Sequence, residues 1–303
     1  MSAATIEVYR SARRADCDER ALMLVAIGIA GTIYYDGLQY VLEVETADAA
    51  RAMAQLGQYE QERRPPPPPP PPPPIHPHAW VGCVVYVITL VAVGLMVSNG
   101  LWRLDAFEVG ALDAGRVQGG QWWRAWTALT LHLDGAHLVA NLAAGVWFCY
   151  LAAAQIGAGS AWLLIVTGAA AANLLEGLLG PPSHLSVGAS TAVFTALGLL
   201  AAHSWQLRSS YTQRWAVRWV PLVGGVVLLG WFGSGGGGED TAATAVTQID
   251  IVAHAAGFVV GCILGALAAR PALQTALDRM PQWLSGLLAL GSIVIAWAFA
   301  LAT

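Results

Sequence analysis

Residues 79–303 carry only eight arginines and nine acids. A water-soluble domain carries about one charged residue in four, so this stretch cannot fold as an ordinary soluble domain. Its apolar segments have to be buried in lipid or in one another. Residues 1–78, a third as long, hold seven arginines and ten acids. The chain is thus read as a soluble head followed by a membrane body. Hydropathy places seven apolar segments in that body: Ala79–Ser98, Leu138–Ala154, Ala161–Leu179, Ser190–His203, Trp219–Phe232, Ile251–Ala269 and Trp283–Ala302. Most have near the length that crosses a hydrocarbon core of about 30 Å. The fold class expected is an all-α polytopic membrane protein preceded by a small soluble α+β domain.

Composition closes off other classes. The isoelectric point is near 5.9 and the chain has no basic block, so no nucleic acid partner is expected. All 15 cations are arginines, which excludes a Ser-Lys hydrolase. The four cysteines, Cys17, Cys83, Cys149 and Cys262, stand singly, which argues against a disulfide framework or a thiolate metal site. No metal and no cofactor are expected.

In the head, Thr5–Tyr9 reads as a strand and Asp16–Ile29 as a helix. Thr32–Tyr35 and Leu38–Glu45 read as a hairpin closed by a tight Asp36-Gly37 turn. Thr46–Glu62 reads as a second helix. Pro65–Pro74 is an unbroken run of ten prolines, a polyproline II rod of about 31 Å. A stiff spacer is the simpler reading of that rod; a docking segment for a Pro-binding partner is the alternative. The domain boundaries expected are 1–64 for the head, 65–78 for the linker, 79–270 for a six-span core and 271–303 for a linker and seventh span.

Arginines set the orientation. Arg63 and Arg64, then Arg208, Arg214 and Arg218, then Arg270 and Arg279 fall on one side if every segment crosses. The positive-inside rule makes that side cytoplasmic. The head is then inside and Thr303 outside, in what is expected to be a bacterial cytoplasmic (inner) membrane. The Gly235–Gly238 run lacks the Lys-Ser/Thr of a phosphate loop. Trp102, Trp122, Trp123 and Trp126 crowd the outer connection between the first two spans, which suits a membrane interface.

Ionisable groups within a bilayer are expensive and are functional candidates by default. His132, His137 and Asn141 form one group at the outer end of the second span, with His137 and Asn141 on one helical face. Gly188-Ala189-Ser190 opens the fourth span, and His254 lies one turn into the sixth. The topology brings all three groups toward the same outer face. The fourth span, 14 residues as drawn, would reach about 21 Å. Its start is therefore expected to be sunken, after an irregular Gly180–Ala189 segment. A serine at a buried helix N-terminus has nearby N–H groups that stabilise an oxyanion. Gly257, Gly261 and Gly265 mark close helix packing.

With these residues in place, the body resembles the rhomboid intramembrane serine proteases over roughly residues 79–270. Trp123-Arg124 looks like the family's Trp-Arg motif, and His132-x4-His137-x3-Asn141 like its outer His/Asn pattern. Gly188-Ala189-Ser190-Thr191 resembles its Gly-x-Ser-Gly, and Ala253-His254-x2-Gly257-x3-Gly261 its Ala-His-x2-Gly-x3-Gly. The resemblance implies a six-helix core, a Ser190–His254 dyad, and His137, Asn141 and the Ser190 N–H as the oxyanion site, with Gly188 beside them. It implies support from Arg124 in the outer loop, from His132, from Phe194 packed on His254, and from Gly257 and Gly261. Asp250, four residues before His254, is read as structural or interfacial. Thr191 stands where the family has Gly and is expected to crowd the substrate pocket. The seventh span is an addition to the six-helix core.

The function implied is hydrolysis of a peptide bond within or beside a transmembrane segment, with single-span or other membrane-protein substrates and the lipid bilayer as partners. A cytoplasmic partner of the head or proline run is a further expectation. The alternative is an inactive rhomboid-like protein that escorts membrane clients. A transporter would show paired repeats, a zinc protease His-Glu-x-x-His, and an α/β-hydrolase Gly-x-Ser-x-Gly; none is in the sequence.

Overall fold

The computed structural model describes residues 4–63, 75–100, 105–211, 215–233 and 251–303. The chain divides within the proline run into two compact units, Met1–Pro69 and Pro70–Thr303. Asp250, Trp102 and the Gly235–Gly238 run lie outside the described residues.

The first unit is a strand-helix-strand-strand-helix module: β1 (Thr5–Ser11), α1 (Arg14–Ala26), β2 (Gly31–Tyr35), β3 (Tyr40–Glu45) and α2 (Ala49–Arg63). The strands form an antiparallel sheet in the order β1-β3-β2. Leu24, Ile29, Leu42, Val44, Ala52 and Leu56 make its core. Arg20 is buried, pairs with Glu60 and lies 3.9 Å over the Tyr9 ring. The hairpin differs from the tight turn expected. Its loop spans four residues, because Tyr35 pairs with Tyr40. The Asp36 carboxylate accepts the N–H groups of Leu38 and Gln39 at 2.8 Å each, which holds the wider loop closed. The second helix starts three residues later than expected. Thr46 is drawn into the strand's end, its amide and hydroxyl both donating to Ala4 O.

The second unit begins with α3 (Trp80–Ser98). A compact connection follows, built of α4 (Ala106–Gly110), β4 (Leu112–Asp113), α5 (Ala114–Gln118), α6 (Arg124–Thr127) and a 3-10 turn, Ala128–Thr130. Then come α7 (Gly135–Ile156), α8 (Ala158–Leu179), β5 (Leu185–Ser186), α9 (Ser190–Tyr211), α10 (Trp215–Gly233), α11 (Ile251–Ala268), α12 (Pro271–Arg279) and α13 (Gln282–Ala302). Helices α3, α7, α8, α11 and α13 are long and apolar enough to cross a membrane, and Trp215–Trp231 is a shorter apolar helix. A helix thus stands at each of the seven expected segments, with ends shifted by four residues or fewer except in the fourth.

The fourth segment is corrected most. Helix α9 runs 22 residues rather than 14, about 33 Å. It continues past His203 through Ser204, Gln206 and Arg208, polar residues that end a hydropathy window but not a helix. Shortness is therefore no reason for a sunken serine. The irregular backbone before it is real: residues 180–189 carry only the short β5, paired with β4.

Glycines set how closely α11 lies on α9. A Cβ on Gly257 would come within 2.7 Å of Thr191 O. On Gly261 it would strike Thr195 O, and on Gly265 Leu199 O. In return, a Cβ on Gly198 of α9 would strike Phe258 O of α11. Three acceptors spaced by four residues meet three glycines spaced by four, so the two backbones touch along two turns.

Candidate active site

Ser190 is the first residue of α9 and His254 sits in the first turn of α11. The glycine seam begins one turn after His254 and so brings it against the start of α9. Phe194, one turn after Ser190, packs its ring on the His254 imidazole with centroids 4.4 Å apart and planes at 37°. His254 is buried and Ser190 half-buried.

Helix α7 delivers the second pair. Asp134 caps it, its carboxylate accepting His137 N–H at 2.8 Å. That cap fixes the first turn, on which His137 stands. Asn141 is buried one turn later, its amide donating to His137 O at 3.2 Å. The Tyr86 hydroxyl of α3 donates to Asn141 O at 2.8 Å, tying α7 to α3 at that turn.

Gly188 meets these residues from the other side. It has φ +131°, a region that disfavours any side chain. A Cβ there would lie 2.8 Å from His137 Cε1 and 3.7 Å from Asn141 Nδ2. Its own N–H donates to Ala128 O at 2.9 Å. Gly188 therefore contributes space rather than a free donor. Ala189 N–H points to His132 Nε2 at 3.4 Å. His132 lies in the loop before α7, edge-on to His137 at 5.1 Å. Burial, and then His137, push its pKa down to about 4, so its imidazole is neutral at pH 7 and can accept.

Arg124 is buried in the connection between α3 and α7. Its guanidinium donates to Ala111 O at 2.7 Å, Glu108 O at 2.8 Å and the Gln121 side chain at 2.6 Å. It thereby folds α4 and α6 around one cation. One tryptophan beside it departs from the interfacial reading: Trp123 is buried, whereas Trp122 stays exposed, and both pack on Phe299 of α13, at 6.2 and 5.2 Å.

Ser190, His254, His137, Asn141 and Phe194 all line one cavity of about 830 Å³. Leu133, Val187, Val193 and Phe148 supply apolar wall, and Asp105, Glu108, Asp113 and Arg116 line it from the connection between α3 and α7. A hydroxyl, two imidazoles and a carboxamide thus converge from three helices on a partly apolar chamber. Those are the parts of acyl-transfer chemistry: nucleophile, base and oxyanion donors. Gly257 and Gly261 stand behind this chamber, in the seam.

Thr191 is not where the sequence reading put it. It is buried, and its Cγ2 faces Gly257 across the seam. It does not line the cavity. At the start of a helix, the residue after the serine turns about 100° away, here onto α11. The sequence reading did not single out Asp134, Tyr86 or Thr130 as supports. Of these only Asp134 left a local signal, an N-cap residue ahead of the apolar run.

The class defined by this fold is a polytopic helical membrane protein. Residues 119–271, half of the chain, match the rhomboid domain family. The chain belongs to that family and is an integral membrane protein. It is similar to the rhomboid protease GluP of Bacillus subtilis (strain 168), with 28% identity over 174 residues. That alignment covers 57% of this chain and 31% of the relative, so the chain spans about a third of the relative's length.

Proposed function

We propose that the chain is an intramembrane serine endopeptidase that cuts a peptide bond within or next to a transmembrane segment of a membrane-protein substrate. In this reading Ser190 Oγ attacks the scissile carbonyl while His254 takes its proton. The oxygen, now negative, is received by His137, Asn141 and the Ser190 N–H. His254 returns the proton to the departing amine, and water then releases the acyl group from Ser190 by the same steps in reverse roles. Arg124, His132, Phe194, Gly257 and Gly261 hold these groups in place.

The observation that carries the reading is the common chamber. Ser190, His254, His137 and Asn141 come from helices far apart in sequence, yet all open on one cavity. Membership of the rhomboid family and the likeness to a named rhomboid protease support it further.

The arginine asymmetry supports a cytoplasmic head, an outward-facing chamber and an outer C-terminus, and the likeness to a Bacillus protein supports a bacterial cytoplasmic (inner) membrane. The proposed divisions are a cytoplasmic α+β domain at 1–64, a proline linker at 65–78, the catalytic core at 79–270 and an added helix region at 271–303. A cytoplasmic partner of the head or linker belongs to the same proposal.

The test is labelling of purified protein by a fluorophosphonate, with cleavage of a transmembrane reporter in parallel. Label is expected on Ser190. Ser190→Ala and His254→Ala should each cost at least about 10³-fold in turnover, and the double variant no more than either single one. Asn141→Ala should cost about 10²-fold. Undiminished cleavage by Ser190→Ala protein would defeat the reading. Client binding without label or cleavage would favour an inactive escort instead.

A further inference from the structure

We propose that the added C-terminal helix is part of the catalytic apparatus, with Trp297 of α13 acting as a positioning residue for the backbone that presents Ser190. The proposal rests on the serine-protease reading above.

Trp297 Nε1 donates to Thr130 Oγ1 at 3.0 Å, both residues being buried. An indole near the end of a membrane helix usually turns its N–H to interfacial water. Here it turns inward. Trp123, Trp126 and Trp162, by contrast, have buried indole N–H groups without a hydrogen-bond partner among the described residues. Thr130 passes the constraint on by donating to Thr127 O at 2.8 Å. Thr127 in turn donates to Gly110 O at 2.6 Å, beneath the Trp297 ring, which leaves no room for a Cβ on Gly110.

The segment held in this way is the one that holds Gly188 and Ala189. Two residues before Thr130, Ala128 O accepts Gly188 N–H at 2.9 Å. Two residues after it, His132 Nε2 lies 3.4 Å from Ala189 N. Both amides immediately preceding Ser190 are thus oriented by a five-residue stretch with Thr130 at its centre. Helix α13 is itself anchored at its far end. The Gln282 side chain accepts the N–H groups of Gly159 and Ser160 at 2.9 and 3.0 Å, capping α8. Pinned there, α13 presents Trp297 at a fixed height against the 3-10 turn. A shift of Thr130 moves the oxyanion backbone, and misplacement of that kind weakens transition-state stabilisation more than substrate binding.

Trp297→Phe keeps the ring and removes the N–H; Thr130→Val keeps the shape and removes the hydroxyl; Thr130→Ser keeps the hydroxyl. In the full-length protein, Trp297→Phe and Thr130→Val should each lower kcat about tenfold, the equivalent of one ordinary hydrogen bond lost from the transition state. KM for a transmembrane reporter should stay unchanged and Thr130→Ser should behave as wild type. The double variant should match Thr130→Val, which already breaks the Trp297–Thr130 bond along with the Thr130–Thr127 bond. Hydrogen exchange of a peptide covering Gly188 and Ala189, followed in a Ser190→Ala background, should speed up when Trp297→Phe is added. That readout needs no hydrolysis. If Ser190→Ala protein still cleaves but exchange rises, the serine reading falls while the coupling of α13 to this backbone stands. Unchanged exchange, unchanged kcat in Trp297→Phe, or an equal loss in Thr130→Ser overturns the proposal.

Discussion

Gly188 leaves His137 the space it occupies: a single added carbon on Gly188 would lie 2.8 Å from His137 Cε1. The same residue holds φ at +131°, so a side chain there is strained as well as obstructed. Gly188→Ala should therefore push His137 from its place beside Asn141 without disturbing helices elsewhere. Reporter cleavage should fall about 10²-fold, as for loss of an oxyanion donor, while the thermal midpoint drops by only a few degrees. Unimpaired turnover in Gly188→Ala would show that His137 needs no such space.

The seam between α9 and α11 makes a second expectation. Gly261 faces Thr195 O with no room for a methyl group, and backbone cannot yield as a side-chain tip does. Gly261→Ala should force the helices apart, withdrawing His254 from Ser190 and lowering both turnover and thermal midpoint. Gly291 of α13 has nothing within 4 Å of its Cβ position. Gly291→Ala, in an equally apolar helix, should be neutral or slightly stabilising. Equal behaviour of the two variants, measured by detergent-solubilised melting, would contradict the packing account.

The contrast between those glycines explains what was legible before the fold was known. Helical period, written locally, put Gly257, Gly261 and Gly265 on one stripe, and the order of the apolar segments grouped Ser190, His137, Asn141 and His254, which line one cavity. The length of α9 was not, since hydropathy registers the polar Ser204, Gln206 and Arg208 and the backbone continues regardless. Nor was the direction of Thr191, which depends on which neighbour α9 meets. The Trp297–Thr130 bond joins residues 167 positions apart, and the Tyr86–Asn141 bond residues 55 apart; no local pattern announces either. In the head, Asp36-Gly37 signalled a turn correctly, but the carboxylate's two backbone bonds selected a wider loop.

Thr191 yields a prediction opposite in emphasis to its sequence reading. Its side chain fills the seam beside Gly257 rather than the substrate cavity. Thr191→Gly should not widen substrate choice. It should lower stability by about 1 kcal/mol from helix propensity alone, with a further loss from the vacated contact. Cleavage of a panel of transmembrane reporters should keep its rank order; a broadened panel would return Thr191 to the pocket.

The head has its own sheet and core, Leu24, Ile29, Leu42, Val44, Ala52 and Leu56, and among the described residues those lining the 830 Å³ cavity all belong to the second unit. Removing residues 1–74 should leave reporter turnover within a few-fold of the full chain. Total loss in a truncated protein that still inserts and melts cooperatively would make the head part of the catalytic unit.

His132 supplies an acid-sensitive support. In the folded loop its pKa is lowered from 6.5 to about 4, chiefly by burial and secondarily by His137. In the unfolded chain it takes up a proton near 6.5. Between those values the unfolded state binds more protons than the folded one, so its contribution to stability is fully present above 6.5 and is lost as pH falls toward 4. Below about 4 the folded form is protonated too, and Nε2 can no longer accept from Ala189 N–H, so the support behind Ser190 is released. The thermal midpoint of purified protein should therefore decline from pH 6.5 to pH 4. His132→Gln, which cannot titrate there, should show a flatter decline and a lower midpoint at pH 7. If the two proteins' midpoints ran parallel across that window, His132 would not be the titrating support.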